Sequence, residues 1–250
     1  MHAKSLLSAI AAAVVLAGCA SMAPHAWEVT PEIRAVVASP DRSDADRKTD
    51  ERRKPEMMLA FAGVKPGMKV LEVGAGAGYS AELLARSVGP QGVVYAHNSP
   101  DAIARFIKTR FDERAAKPVM GNVVKLIREF DDPVPSDVRG LDLATMLFEY
   151  HDTPAAGIDR AKMNRRIFDA LKPGGTFVVA DHSAKTGAGV SASRTLHRID
   201  EAVVRQEVEA AGFKFVAAAD FLRNPDDPRD ATSSRSAVRV DEFVLKFMKP

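Results

Sequence analysis

Two stretches of this 250-residue chain carry residue types that could do chemistry. The first is VLEVGAGAGYS at 70–80: Glu72, then Gly74, Gly76 and Gly78 at alternate positions, with Ala75 and Tyr79 among them. A turn stripped of Cβ atoms lets backbone N–H groups approach a bound ligand closely. A dinucleotide fingerprint needs G-x-G-x-x-G. Counted from Gly74, its last position falls on Tyr79; counted from Gly76, it falls on Ala81. No lysine of the triphosphate-binding kind follows, which disfavours a nucleoside triphosphate. The second stretch, LDLATMLFEYHDTP at 141–154, contains Tyr150, His151 and Asp152 in a row. Histidine titrates near neutral pH and suits a general base. Beside it, a tyrosine offers a stacking surface and an aspartate an orienting carboxylate. Neighbouring residues often point apart, so His151 and Asp152 need not pair. Asp181 and His182 close an apolar FVVA run, where a structural hydrogen bond is the competing reading. The HRID run at 197–200 either closes over a substrate or merely caps and packs. His97, His151, His182 and His197 are scattered along the chain and show no metal-ligand spacing, so no metal is expected.

The elements that must position these residues alternate. Short β-branched runs mark strands at 69–73, 93–97, 123–127, 141–148 and 176–181, with two more at 213–218 and 242–247. Between them lie amphipathic stretches at 81–88, 161–171 and 194–211. The last carries Leu196, Ile199 and Val203 on one face, with Gly212 as its stop. Such alternation predicts an α/β fold, a mostly parallel sheet covered by helices on both faces. In those sheets ligands sit beyond the carboxyl ends of the strands, where strand order reverses. Both chemical stretches fall at such ends.

Composition narrows the classes further. Lys and Arg number 35 against 33 Asp and Glu, a balance that gives no argument for nucleic acid. The one cysteine, Cys19, excludes an internal disulfide. It follows Lys4 and an apolar run at 6–17 that is too short to span a bilayer, where roughly 20 residues are needed. The layout is that of a secretory signal over 1–18. LAGC at 16–19 resembles the lipobox of bacterial lipoproteins, whose cysteine is lipidated and becomes the new N-terminus. A lipid on Cys19 would hold the protein on a membrane of the bacterial cell envelope, facing the periplasm. Residues 19–53, with the polar run SPDRSDADRKTDERRK, read as tether and lead-in with one helix near 31–38 and a solvated charged face. Residues 54–250 read as one domain.

The order of motifs in that domain resembles the class I S-adenosylmethionine-dependent methyltransferases. Glu72, Gly74, Gly76 and Gly78 are similar to the family's first motif, PEMMLAFAGVKPGMKV to its lead-in helix and turn, and ALKPGGTFVVADH at 170–182 to its helix–turn–fifth strand. VEAAGFKFV and DEFVLKFMKP resemble its late hairpin and closing strand. The resemblance implies a Rossmann-like three-layer sandwich with a seven-stranded sheet and an antiparallel last strand. It implies methyl transfer from S-adenosyl-L-methionine to a small-molecule acceptor, an in-line displacement that depends on alignment, with His151 as base. The loop 72–79 would pass around the methionine part of the cofactor, with Glu72 fixing the loop or an amine. Where the family grips both ribose hydroxyls with an acid, this chain has Asn98, either a ribose contact or a plain turn residue. Phe130 and Asp131 fall at the adenine position, where a solvated acidic loop is the alternative. Two further readings stay open: a noncatalytic ligand- or partner-binding module on the same scaffold, and an NAD(P)-dependent oxidoreductase, which Tyr79 and the lack of an acid near Asn98 weaken.

Overall fold

A computed structural model describes residues 27–250; the expected signal segment and Cys19 lie outside them. Three helices lead in: α1 (Pro31–Val37), α2 (Asp44–Arg53) and α3 (Pro55–Ala62). Strand β1 (Lys69–Val73) then opens the alternation: α4 (Tyr79–Val88), β2 (Val93–Asn98), short helices α5 (Pro100–Ala102) and α6 (Arg110–Ala115), β3 (Val123–Ile127) and β4 (Leu141–Leu147). Next come α7 (Asp152–Ala155), α8 (Arg160–Ala170), β5 (Leu171–His182), α9 (Ser193–Leu196), α10 (Glu201–Ala210), β6 (Lys214–Ala219) and β7 (Glu242–Met248).

The seven strands form one sheet in the order β3-β2-β1-β4-β5-β7-β6. All are parallel except β7, which runs antiparallel to both β5 and β6. Strand order reverses between β1 and β4, which places the ligand crevice over their carboxyl ends. The pleat sends alternate residues to opposite faces. Val70, Leu143, Val178 and Val244 pack under α3 and α4 with Phe61, Leu83 and Leu84. Their neighbours Leu71, Ala144, Val179 and Phe243 pack on the other side with Met163, Ile167, Val204 and Val208 of α8 and α10. The expected three-layer sandwich is present, with its antiparallel last strand.

Two expectations are corrected. The helix expected over 194–211 is broken. Helix α9 stops at His197, whose φ is 48°; Ile199 then forms a parallel bridge with Ser183, and Asp200 caps α10 by accepting from the Ala202 N–H at 3.1 Å. The break has a long-range cause. Arg198 is fully buried, with Nη1 2.7 Å from Asp227 Oδ2 and 3.0 Å from the Ser183 carbonyl, so this turn is stapled to the end of β5. The lead-in also differs. It holds a second helix, α2, and its charges are not simply solvated: Arg42 and Asp46 are buried. Arg42 makes a two-pronged bond to Asp50, while Arg114 joins Asp46 to Glu82 of α4 at 2.8 and 2.6 Å. Trp27 packs edge-on to Phe61, ring centroids 4.3 Å apart. Among the described residues no helix is long and apolar enough to cross a membrane.

Replacing Arg198 by Met keeps the volume but leaves the Asp227 carboxylate buried without its cation. Urea unfolding should show a loss of about 3 kcal/mol, the scale expected when one partner of a buried pair is removed.

Candidate active site

The β1–α4 turn is tied to the end of β2. The Ala75 N–H donates to the His97 carbonyl at 2.8 Å, and the Gly74 N–H to His97 Nδ1 at 3.3 Å. Burial pushes His97 down to about 4, so the ring is neutral, and its Nε2–H donates to the Arg128 carbonyl at 2.9 Å. Gly74 has φ 73°, and a Cβ there would lie 2.6 Å from Cγ of Glu149, which overhangs the turn. At Gly76, with φ 56°, a Cβ would meet nothing within 4 Å, so this part of the turn faces open space.

Asn98, the expected ribose contact, also has a task within the protein. Its Oδ1 accepts from the Gly76 N–H at 2.8 Å and its Nδ2 donates to the Gly76 carbonyl at 3.0 Å. One amide thus satisfies both polar groups of one residue. A carboxylate, which only accepts, could not do this. Asn98 shapes the loop, each end of its amide used once, which leaves one N–H and one oxygen lone pair on its open side.

Around the turn lie polar atoms without partners. Glu72 and Thr145 are register neighbours in β1 and β4; Glu72 Oε2 and Thr145 Oγ1 are both buried and have no hydrogen-bond partner among the described residues. Burial pushes Glu72 up to about 7 against the opposing effects of Ser80 and the Arg53 charge. Arg53, the last residue of α2, lies with its guanidinium carbon 3.7 Å from the centroid of Phe148; its buried Nε has no hydrogen-bond partner among the described residues. Arg53, Ser80, Thr145 and Phe148 line one pocket. Tyr79, also in the predicted cofactor set, donates its hydroxyl to Asp50 at 2.6 Å.

The β4 end makes the other half of the site. Tyr150 is fully buried, its hydroxyl donating to Glu207 Oε2 at 2.8 Å and accepting from Asn164 Nδ2 at 2.8 Å. It faces α8 and α10 and offers no stacking surface, because consecutive side chains here point apart. The carboxylate that orients His151 is Asp181 and not Asp152: Oδ1 lies 2.6 Å from His151 Nδ1, and Oδ2 accepts the His151 N–H at 2.8 Å. Burial disfavours the imidazolium, yet Asp181, Asp152 and Glu149 outweigh it and push His151 up to about 9. The resting ring is therefore charged, and must lose a proton before it can act as the expected base. Asp152 reaches outward, with Oδ1 3.3 Å from His151 Nε2 and 2.8 Å from His197 Nδ1. His182 stacks obliquely between Phe148 and His151, at 5.4 and 5.2 Å. Beyond β3, Phe130 lies edge-on to His97 at 5.0 Å, while Asp131 is paired with Lys162 at 3.0 Å. Glu149, pushed up to about 8 by burial and Asp152, joins the site from the strand end at 149–152 that the sequence marks; Arg53 joins it unannounced, since it closes a polar run with no motif.

The geometry has counterparts. A model of a methyltransferase domain matches residues 64–215. The ubiquinone/menaquinone biosynthesis C-methyltransferase UbiE of Idiomarina loihiensis is 28% identical over 127 residues, 51% of this chain and 47% of that protein. A protein-L-isoaspartate O-methyltransferase of Hyperthermus butylicus is 33% identical over 131 residues, 49% of this chain and 48% of that one. The chain thus spans about half the length of the curated relatives it matches. Among solved structures, an S-adenosylmethionine-dependent methyltransferase from Aquifex aeolicus aligns with TM-score 0.58 at 21% identity, over 84% of this chain and all of that one. A Haloferax volcanii methyltransferase–Trm112 activator complex gives 0.58 at 18% identity, over 89% and 100%. With the family model spanning more than half of its length, the sheet order its own and the glycine turn at the switch point, the chain belongs to the class I S-adenosylmethionine-dependent methyltransferases.

Proposed function

We propose that this protein moves a methyl group from S-adenosylmethionine to a small-molecule acceptor held over the ends of β4 and β5. The observation that carries this reading is the pair of unpartnered groups beside the glycine turn: Arg53 Nε and Glu72 Oε2. A free amino acid end presents a carboxylate and an ammonium, and a guanidinium and a carboxylate answer them in kind. The turn's open face at Gly76 leaves room for backbone N–H groups to take part. Bound there, the cofactor supplies an electrophilic methyl on a sulfonium. Phe130 is the aromatic surface for the base; Asp131 contributes to it only by leaving Lys162. The relatives' names include a C- and an O-methyltransferase, so the acceptor is read here no further than a small molecule.

The noncatalytic alternative keeps one specific support, the charged resting state of His151. It differs in outcome: binding without turnover on any methyl acceptor. The oxidoreductase reading has less, since Tyr79, at the fingerprint's last position, is committed to Asp50. For localisation, we propose that a lipid on Cys19 anchors the protein in the bacterial cell envelope, facing the periplasm, as LAGC at 16–19 suggests.

Calorimetric titration of the full-length chain should show one site for S-adenosylmethionine or its demethylated product; no heat at millimolar ligand would sink the proposal. Arg53→Met should weaken binding by roughly 10–100-fold, the loss of one charge-assisted hydrogen bond. Glu72 adds a pH test. Its pKa in the free protein is raised to about 7, and an ammonium beside it favours the ionised form. Affinity should therefore be level above pH 7 and fall as pH drops below it, while Glu72→Gln should bind more weakly and without that slope. Cys19→Ala should move the protein from the membrane to the soluble fraction; unchanged fractionation would refute the anchor.

A further inference from the structure

His151, Asp152 and His197 come from two segments 45 residues apart, yet each offers one ligand atom and these atoms all lie within 4.8 Å of one another. We infer that this cluster binds a single divalent transition-metal ion of the borderline class that zinc and cobalt represent. The inference goes beyond methyl transfer and needs no cofactor to be bound.

Three features carry it. The first is the ring of His151. Asp181 holds Nδ1 at 2.6 Å and the backbone N–H at 2.8 Å, which turns Nε2 toward Asp152; the ion takes the place of the proton on Nε2, which is released to solvent. An outer carboxylate on the far nitrogen is the arrangement that metal-bound histidines generally have, because it fixes both tautomer and ring direction. The second is the backbone under His197. With φ 48° it occupies a region that residues other than glycine seldom adopt, and such conformations persist only where their surroundings impose them. Here both sides impose it. Arg198 is buried against Asp227, and Ile199 is bonded in both directions to β5 and its extension, through the His182 carbonyl at 3.0 Å and the Ala184 N–H at 2.9 Å. The fold thus delivers Nδ1 of His197 to 2.8 Å from the oxygen of Asp152 that also faces His151. The third is access. The side chains of Asp152 and His197 are 50% and 52% exposed, so the cluster is rigid behind and open in front. Three protein ligands with an open side are the pattern of a site that leaves coordination positions for water or for an oxygen of a substrate.

The donor set indicates the ion. Two imidazoles and one carboxylate suit zinc, cobalt, nickel or iron, whereas magnesium and calcium call for oxygen donors throughout. His182 is near, its ring centroid 5.2 Å from that of His151, but its Nδ1 faces Glu242 at 3.0 Å; it is a neighbour and no ligand.

The test uses the full-length chain, stripped with chelator and titrated with cobalt(II) in the absence of S-adenosylmethionine. Visible absorption of the ion and equilibrium dialysis should both report one equivalent, displaced by zinc. His197→Ala and Asp152→Asn alter partly exposed side chains and should each weaken binding by about 10–100-fold, on the scale seen when metal-site partners are lost. His182→Ala should leave it unchanged. Absence of stoichiometric binding, or binding that survives both His197→Ala and Asp152→Asn, would show a hydrogen-bonded cluster only and overturn the inference. Because no cofactor is present, the outcome is separate from that of the S-adenosylmethionine titration.

Discussion

The carboxylate of Asp181 lies at the end of a central strand with no accessible surface and no arginine or lysine among its bonds. A buried charge of that kind is costly unless its oxygens are satisfied and an opposite charge stands close. Everything that satisfies it comes from histidine: the ring and backbone N–H of His151 and the backbone N–H of His182. The chain leaving β4 has to turn so that residue 151 meets the end of β5, and the rest of the rim follows. Tyr150, one residue earlier, is driven into the packing against α8 and α10. Asp152, one residue later, is driven outward. Glu149 is left over the glycine turn, where its Cγ claims the space that a side chain at position 74 would need. One carboxylate thus sets the orientation of four consecutive side chains.

The strands were the most legible part of the sequence. Runs such as KVLEV and VVKLI are short, β-branched and bounded by turn residues, and the bounds at 69–73 and 123–127 agree with the structure to the residue. Their alternation was enough for the layered fold, because a parallel sheet has few other ways to bury both faces. What sequence periodicity could not show were partnerships made across the fold. The stripe of Leu196, Ile199 and Val203 reads as one helix, while a bond between residues 29 positions apart, Arg198 and Asp227, cuts it in two. That Asn98 shapes the turn shows only once Gly76 is placed beside it, and Asp152 looks like the carboxylate for His151 until Asp181 takes that place. The histidines are scattered in sequence, and only the folded ends of β4 and β5 show which of them meet.

The lead-in illustrates the same limit. Its high charge resembles a solvated tether, yet its acids are paired with partners on the domain: Asp41 with Arg86, Asp46 with Arg114, and Asp50 with Tyr79 as well as with Arg42 of the lead-in itself. These contacts set α2 against the domain, and α2 ends on Arg53. A segment read as a tether therefore supplies the guanidinium beside the glycine turn, and the order of the candidate cofactor site depends on ion pairs at some distance from it. Two acids of the crevice, Glu72 and Glu149, are both raised toward neutrality by burial, so the crevice holds less negative charge than its composition implies.

The place of β7 governs the order in which the molecule can form. It lies between β5 and β6 and is their shared neighbour, although it comes after both in the sequence. Until residues 242–248 arrive, β5 presents a bare edge along the strand that carries Asp181, and β6 has nothing to pair with. Long-range pairings of this kind form late and slowly, since the closure entropy of the intervening chain is lost before the contacts return it. During synthesis the nascent chain would emerge as an incomplete sheet with an adhesive edge, the state that chaperones hold. The last strand acts as the latch of the fold.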